Sequence, residues 1–394
     1  MSRTVKCTII LMALTIFFLV TEHRFPALAS AASPADKITM SVRSSSASQM
    51  YSTLEIIDPK LTKALLQAKK EALDEAPFYS DIAVNITHGQ LQTYYRLDRA
   101  GHFWETSEQS VPRKLVLSTS LNQRLRNYAV ALRANHYGKL LSWEQARNIV
   151  QRKSIFTLTD LETGLSFKVQ RRAGSQHADV QPISKEDSKI MHQIYNGQWS
   201  WKRKAILVQS GRNRLAASMN GMPHGGDGIP DNGFSGHFCV HFQESTSHRS
   251  TIPDPAHQLM VYKAAGQLDD YFKAASPLLL TLSFVEAMNQ QDADMLRQLM
   301  ERMPHDRQDG FFAQLSSLKF IQIRQSKKQP LQPTIDKDAV TAEFRVPIKM
   351  GQTGQADRNT HYSFSFMRDN PQSPWQIIDI VASGKSANHS SLMP

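Results

Sequence analysis

Arg3 and Lys6 precede an apolar run, Thr8–Val20, which gives way to a polar stretch and then to the small residues Ala27–Ala32. A basic start, a short apolar core and an A-x-A site at Ala29-Ser30-Ala31 have the pattern of a secretory signal peptide over residues 1–31. The run is short against the ~20 residues that span a bilayer, so cleavage is expected and an uncleaved anchor is the alternative. Beyond it, residues 32–56 are rich in Ser and Ala and read as a flexible lead. Asp58-Pro59 opens a helix on which Leu61, Leu65, Ala68, Ala72 and Leu73 recur at helical spacing until Pro77. A second helix is expected around Leu121–Ala134, with Leu121, Leu125, Tyr128, Ala129 and Leu132 on one face. Residues 32–140 thus form a helical or mixed region without evident chemistry, read as a packing or spacer unit.

From Trp143 the period shortens. Phe156–Asp160 and Leu165–Val169 flank Glu162-Thr163-Gly164, and Ala205–Val208 and Arg214–Ser218 flank Gln209–Asn213; both patterns predict β-hairpins. A short helix is expected over 184–195 with Ser184 as N-cap, a strand over Phe238–Phe242, and a helix over His257–Ala265 closed by Gly266. Residues 141–268 are therefore expected to form a β-rich domain. Leu279–Met303 has a long helical pattern, and strand-like segments follow at Leu318–Arg324, Ala339–Met350, Tyr362–Arg368 and Trp375–Val381. The segment FVEAMNQQDADMLRQLM, followed by strands ending in SPWQIIDIV, resembles the nuclear-transport-factor-two-like fold over residues 276–383. That resemblance implies a C-terminal cone-shaped α+β domain and an α+β multidomain protein.

Charge and cysteine content sharpen this picture. Formal net charge is +11, and removal of residues 1–31 leaves 43 basic and 34 acidic groups. Such an excess suits peptidoglycan or another anionic wall polymer. The chain has no block of five Lys/Arg and no basic stripe interleaved with aromatics, so nucleic acid is not an expected partner. A membrane is expected as a partner only through the signal segment, should it stay uncleaved. Cys7 lies in the export segment, which leaves Cys239 as the one cysteine of the mature chain and allows no internal disulfide. In an oxidising compartment a lone thiol is expected to be buried, metal-bound or nucleophilic.

Seven of the fourteen histidines lie between His177 and His257, and six of the eighteen glycines between Gly221 and Gly236. Both concentrations surround Gly236-His-Phe-Cys-Val-His-Phe242. On a strand, Phe238, Val240 and Phe242 would face a core, while His237, Cys239 and His241 would project together from the other face. Two chemistries can use such a row. Cys239 can be a nucleophile whose thiolate a neighbouring imidazole favours. Alternatively His237, Cys239 and His241, with His224, can bind a metal, most plausibly zinc, which accepts mixed N and S ligands. A third alternative is a non-catalytic wall-binding protein that keeps Cys239 as a buried hydrophobe. His177 and Asp179 could orient another imidazole or sit in a solvated turn. Trp199 and Trp201, beside Lys202, Arg203 and Lys204, could form a carbohydrate or anion platform or a core edge.

His224-Gly225, followed after fifteen residues by Cys239 within Ser235-x-x-x-Cys239, resembles the catalytic core of L,D-transpeptidases. Members of that family carry an upstream His-Gly and a downstream Ser-His-Gly-Cys-x-Arg. Here Phe238 stands where the family has the glycine before the cysteine, and His241 where it has the arginine. The resemblance, over residues 141–268, implies that Cys239 is the nucleophile and His224 the base, with no cofactor. His237 is the further catalytic candidate. His241, Gly225, Ser235, His248 and Arg249 are the candidates for binding substrate. It implies an exported cell-wall enzyme acting on peptidoglycan stem peptides by cysteine acyl transfer, as transpeptidase or carboxypeptidase, secreted or wall-associated. The rival class is a zinc-dependent hydrolase or metal-binding module.

Overall fold

A computed structural model of the chain describes residues 36–73, 79–105, 111–226, 228–247, 250–324 and 335–383. The signal-peptide expectation, the end of the first expected helix at Pro77, and His248 and Arg249 lie outside the described residues. The chain is mixed α and β, with several sheets and a six-stranded barrel.

The N-terminal part holds β1 (Lys37–Arg43), β2 (Tyr51–Ile56), α1 (Pro59–Leu66), β3 (Lys69–Ala72), β4 (Ile82–His88), β5 (Leu91–Leu97), β6 (Phe103–Glu105), β7 (Arg113–Val116) and α2 (Thr119–His136). The strands form one sheet in the order β2-β1-β4-β5-β6-β7-β3. This corrects the expectation of a flexible lead over 32–56. From Lys37 onward that segment is two paired strands, and Ile38, Met40 and Val42 alternate into the core with no exposure. Ser44, Ser45, Ser46, Ala47 and Ser48 occupy the connection between β1 and β2, where the Ser48 hydroxyl donates to the Leu161 carbonyl at 2.8 Å.

The first helix is also corrected. Asp58 caps α1 by accepting from the Leu61 N–H at 2.9 Å, and Leu61 and Leu65 are buried. It ends at Leu66 because Lys69–Ala72 pairs antiparallel with Arg113–Val116 instead of continuing the helix. Sheet pairing here outweighs the apolar period, as tertiary context commonly does. In α2, Leu125, Ala129 and Leu132 are buried with His136, and Arg133 forks onto the buried Asp81 carboxylate at 2.5–3.1 Å.

The middle part opens with α3 (Trp143–Ala146) and builds the barrel from β8 (Ile155–Asp160), β9 (Ser166–Ala173), β10 (Ala178–Pro182), β11 (Lys204–Ser210), β12 (Asn213–Met219) and β13 (Phe238–His241). Its closed order is β10-β13-β12-β11-β8-β9, with α4 (Lys185–Ile194) between β10 and β11. The interior is a separate apolar cluster that includes Leu158, Phe167, Val180, Ile206, Phe238 and Val240.

The last part runs through α5 (Pro255–Ala264), α6 (Leu268–Ala274), α7 (Pro277–Gln290), α8 (Ala293–Leu299), α9 (His305–Leu315), β14 (Leu318–Ile323), β15 (Thr341–Gln352), β16 (Arg358–Met367) and β17 (Gln376–Ser383). The strands form an antiparallel meander, β14-β15-β16-β17. The single helix expected over Leu279–Met303 is two helices. Gln291 takes a left-handed conformation, φ 59°, and Asp292 then caps α8 by accepting from the Met295 N–H at 3.0 Å. The Asp292 carboxylate also pairs with the half-buried Lys263 of α5. A second apolar cluster is continuous from the N-terminal sheet through α5 and α6 to α7 and the meander.

Candidate catalytic site

The site sits where β13 lies between β10 and β12. Strand alternation sends Phe238 and Val240 into the barrel core. Cys239 and His241 take the opposite side, yet they too are buried, at 4% and 2% exposure. Cover comes from the segments on either side of the row. His177, just before β10, stacks on His241 with ring centroids 4.6 Å apart, and His241 stacks on His257 of α5 at 3.7 Å. The His257 ring meets the Ser218 hydroxyl at 2.9 Å.

His237 precedes β13 rather than belonging to it. It pairs by backbone with His224: the His224 N–H donates to the His237 carbonyl at 2.9 Å, and the His237 N–H returns the bond at 2.7 Å. Two glycines make that approach possible. Gly225 has φ 71°, and a Cβ there would stand 2.1 Å from His237 Cε1; Gly236 has φ 88°, and a Cβ would stand 2.4 Å from the His224 carbonyl oxygen. The connecting loop is fastened rather than loose: Asn232 Nδ2 donates to the Pro182 carbonyl, the Ser188 hydroxyl to the Asn232 carbonyl, and the Ile229 N–H to Gln181 Oε1.

This pairing delivers the His224 imidazole to the sulfur. His224 Nδ1 donates to the Met222 carbonyl at 2.8 Å, which fixes the tautomer of the neutral ring and turns the Nε2 lone pair outward. Nε2 lies 3.3 Å from Cys239 Sγ. A carbonyl-held imidazole with its free nitrogen on a thiol is the geometry of a base acting on a nucleophile. The hydrogen bond with the sulfur raises the His224 pKa above its ordinary value, against the opposing effect of burial. For Cys239 burial alone would push the thiol up, but hydrogen bonds from His177 and His224 outweigh it and hold the pKa below the ordinary value.

His177 lies on the buried side of the same sulfur. Nδ1 donates to the Thr246 carbonyl at 2.8 Å, and Nε2 is 3.0 Å from Asp179 Oδ1. Asp179 stands directly across the ladder from Cys239, and its Oδ1 is 3.9 Å from Sγ and 3.8 Å from His237 Nε2. Burial disfavours a charged His177, yet Asp179 and the sulfur more than compensate and raise its pKa to about 10. His241 and His257 are held neutral by burial, with pKa values well below the ordinary one.

The structure therefore brings together Cys239, His224, His237, His241 and Gly225, and adds His177 and Asp179. Ser235 is exposed. Placing His177 just before β10 and Asp179 within it removes the solvated-turn alternative, because both are buried beside the sulfur. The donor atoms that cluster differ from the expected metal set. Among the described residues, the donor atoms that fall within 4.8 Å of one another belong to His177, Cys239 and His241, not to His224 and His237, and this buried group could hold a metal ion. No family model matches the chain, and comparison with curated proteins finds no match.

Proposed function

We propose that the protein is an exported cysteine acyltransferase of the L,D-transpeptidase type, acting on peptidoglycan stem peptides. One observation carries this reading: His224 Nε2 lies 3.3 Å from Cys239 Sγ while its Nδ1 is occupied by a backbone carbonyl. In the reaction the Cys239 thiolate attacks an amide carbonyl before a terminal D-Ala, forming a C–S bond and a tetrahedral oxyanion that nearby backbone N–H groups stabilise. Collapse breaks the C–N bond, and the proton held on His224 Nε2 goes to the leaving amine. An amine or water then attacks the thioester, giving its proton to His224 and releasing Cys239. The basic export-like N-terminus and the positive charge support a site of action at the wall. The packing of α7–α9 beside the four-stranded meander supports the nuclear-transport-factor-two-like reading of residues 276–383.

The test is mass spectrometry after incubation with a carbapenem, which acylates cysteine nucleophiles of this type. A covalent adduct on Cys239, absent from Cys239→Ser, supports the reading; an unmodified protein rejects it.

A second reading, a metal centre, is favoured by the buried His177, Cys239 and His241 group and by His241 Nδ1, which has no hydrogen-bond partner among the described residues. The Thr246 carbonyl on His177 Nδ1 is the sort of outer partner that orients a ligating imidazole. Zinc would suit the N and S donors. Metal analysis of the purified protein, with Cys239 reactivity before and after chelation, separates the two readings: only a metal centre keeps the thiol silent until the chelator is added.

A further inference from the structure

The loop from Asn196 to Arg203, between α4 and β11, turns over the barrel rim at His224. Trp201 on this loop is half exposed, and its ring centroid is 5.2 Å from that of His224. The loop is held in place. Arg203 donates to the Trp201 carbonyl at 2.8 Å and to Asp254 at 2.6 Å, and the Gly221 N–H donates to the Ser200 carbonyl at 2.8 Å. Away from His224, Trp201 borders a cleft of about 670 Å³ whose opposite wall is α7 and β14. Leu282, Val285 and Phe320 give that wall an apolar surface.

Within the cleft the charges are unequal. Asp254 is matched by Arg203. Glu286 accepts a bond from Gln290 at 2.6 Å, and burial raises its carboxyl pKa. Lys202 is half-buried and, like exposed Lys319 on the same lining, has no ion pair within 4 Å among the described residues; burial pulls its pKa down, and the Glu286 charge opposes this. A half-buried ammonium beside an apolar wall gains from an incoming anion more than a solvated lysine does, because less water screens the pair.

We infer that this cleft is the peptide groove of the acyl-transfer site and takes an acidic peptide, with a free carboxylate on Lys202 and apolar groups along Trp201 and Phe320. The inference rests on the acyl-transfer reading of Cys239 and places the substrate beyond the bond that is cut. Three features support it. Trp201 touches both His224 and the cleft, so a chain lying along it leads to the sulfur. The volume falls in the range of sites that enclose several residues of a ligand. Its lining sets three cations, Lys202, Arg203 and Lys319, against two acids, Asp254 and Glu286, and this excess favours an anionic partner, which a wall peptide with free carboxylates supplies.

The test uses the mature chain carrying Cys239→Ala, so that binding is measured without turnover. A soluble acidic stem peptide and the same peptide with its carboxylates amidated are titrated by calorimetry. The acidic peptide should bind about tenfold more tightly than the amidated one. Lys202→Met should erase that preference, Lys202→Arg should keep it, and Trp201→Ala should weaken both peptides. Equal affinity for the two peptides, no binding of either, or a preference that survives Lys202→Met would overturn the groove. Alkylation of Cys239 in the wild-type chain reads the nucleophile separately. Slow alkylation together with a clear peptide preference would end the catalytic reading and leave the groove standing.

Discussion

Two buried histidines in different parts of the molecule end on opposite sides of the ordinary imidazole pKa. His136, at the end of α2, is fully buried, and its pKa is pushed down to about 4, chiefly by burial and then by the Arg214 charge. His177, 1% exposed beside β10, is raised to about 10. Depth does not distinguish them. What differs is company: His136 bonds to the neutral Ser52 hydroxyl at 3.0 Å, whereas His177 meets the Asp179 carboxylate and the Cys239 sulfur. A buried imidazole is neutral by default and stays charged only where anions compensate its lost hydration. The barrel site is therefore a place where charge is retained out of water, as the proposed nucleophile would require, while the N-terminal histidine is packing.

The sharpest break of this contrast is Cys239→Ser. It removes the thiolate while nearly preserving shape, so acyl transfer should fall below detection while the denaturant midpoint changes little. Next in size is Asp179→Asn. Removing the carboxylate leaves the His177 ring beside a neutral amide, and a broken buried pair costs about 3–5 kcal/mol, read as a lowered denaturant midpoint. A midpoint equal to wild type would show that Asp179 does not hold His177.

His136 should act at the other end of the pH scale. Its folded pKa lies below the unfolded ~6.5, so the stability linked to keeping it neutral is complete above that pH. That stability is lost as pH falls toward about 4, on the order of 3 kcal/mol in all. Replacement by Gln should flatten this acid slope in pH-dependent denaturation. The smallest effect is expected at Gly225. An alanine there would adopt φ 71° against the His237 ring, costing about 1–3 kcal/mol and moving His224 off the sulfur. Carbapenem acylation of Gly225→Ala should slow more than its thermal midpoint drops.

Much of this site was legible from residue order because strands write their faces into the sequence. The alternation Phe238, Cys239, Val240, His241 divides core from chemistry, and both hairpins of the barrel carry turn residues between apolar runs. The His224-Gly225 pair was matched to Cys239 through the resemblance to L,D-transpeptidases. β10 was harder to see: its residues, Ala178–Pro182, are buried on both sides, so no alternation marks it, and Asp179 gives no apolar signal. His241 was legible as a neighbour of Cys239, but its stacking on His177 and His257 depends on β10 and α5 closing over β13. Elsewhere, a continuous helical period hid two breaks that only distant partners impose. One is the pairing of Lys69–Ala72 with β7; the other is the turn at Gln291, where Asp292 meets Lys263.

The central claim is that His224 draws the proton from a thiol that is ready to react. The most direct test is the rate of Cys239 alkylation by iodoacetamide across pH in wild type and in His224→Ala. The wild-type chain should react quickly at neutral pH, with its midpoint below the ~8.5 of a free thiol. His224→Ala should react more slowly, with the midpoint moved up. Equal and slow rates in the two proteins would contradict the account.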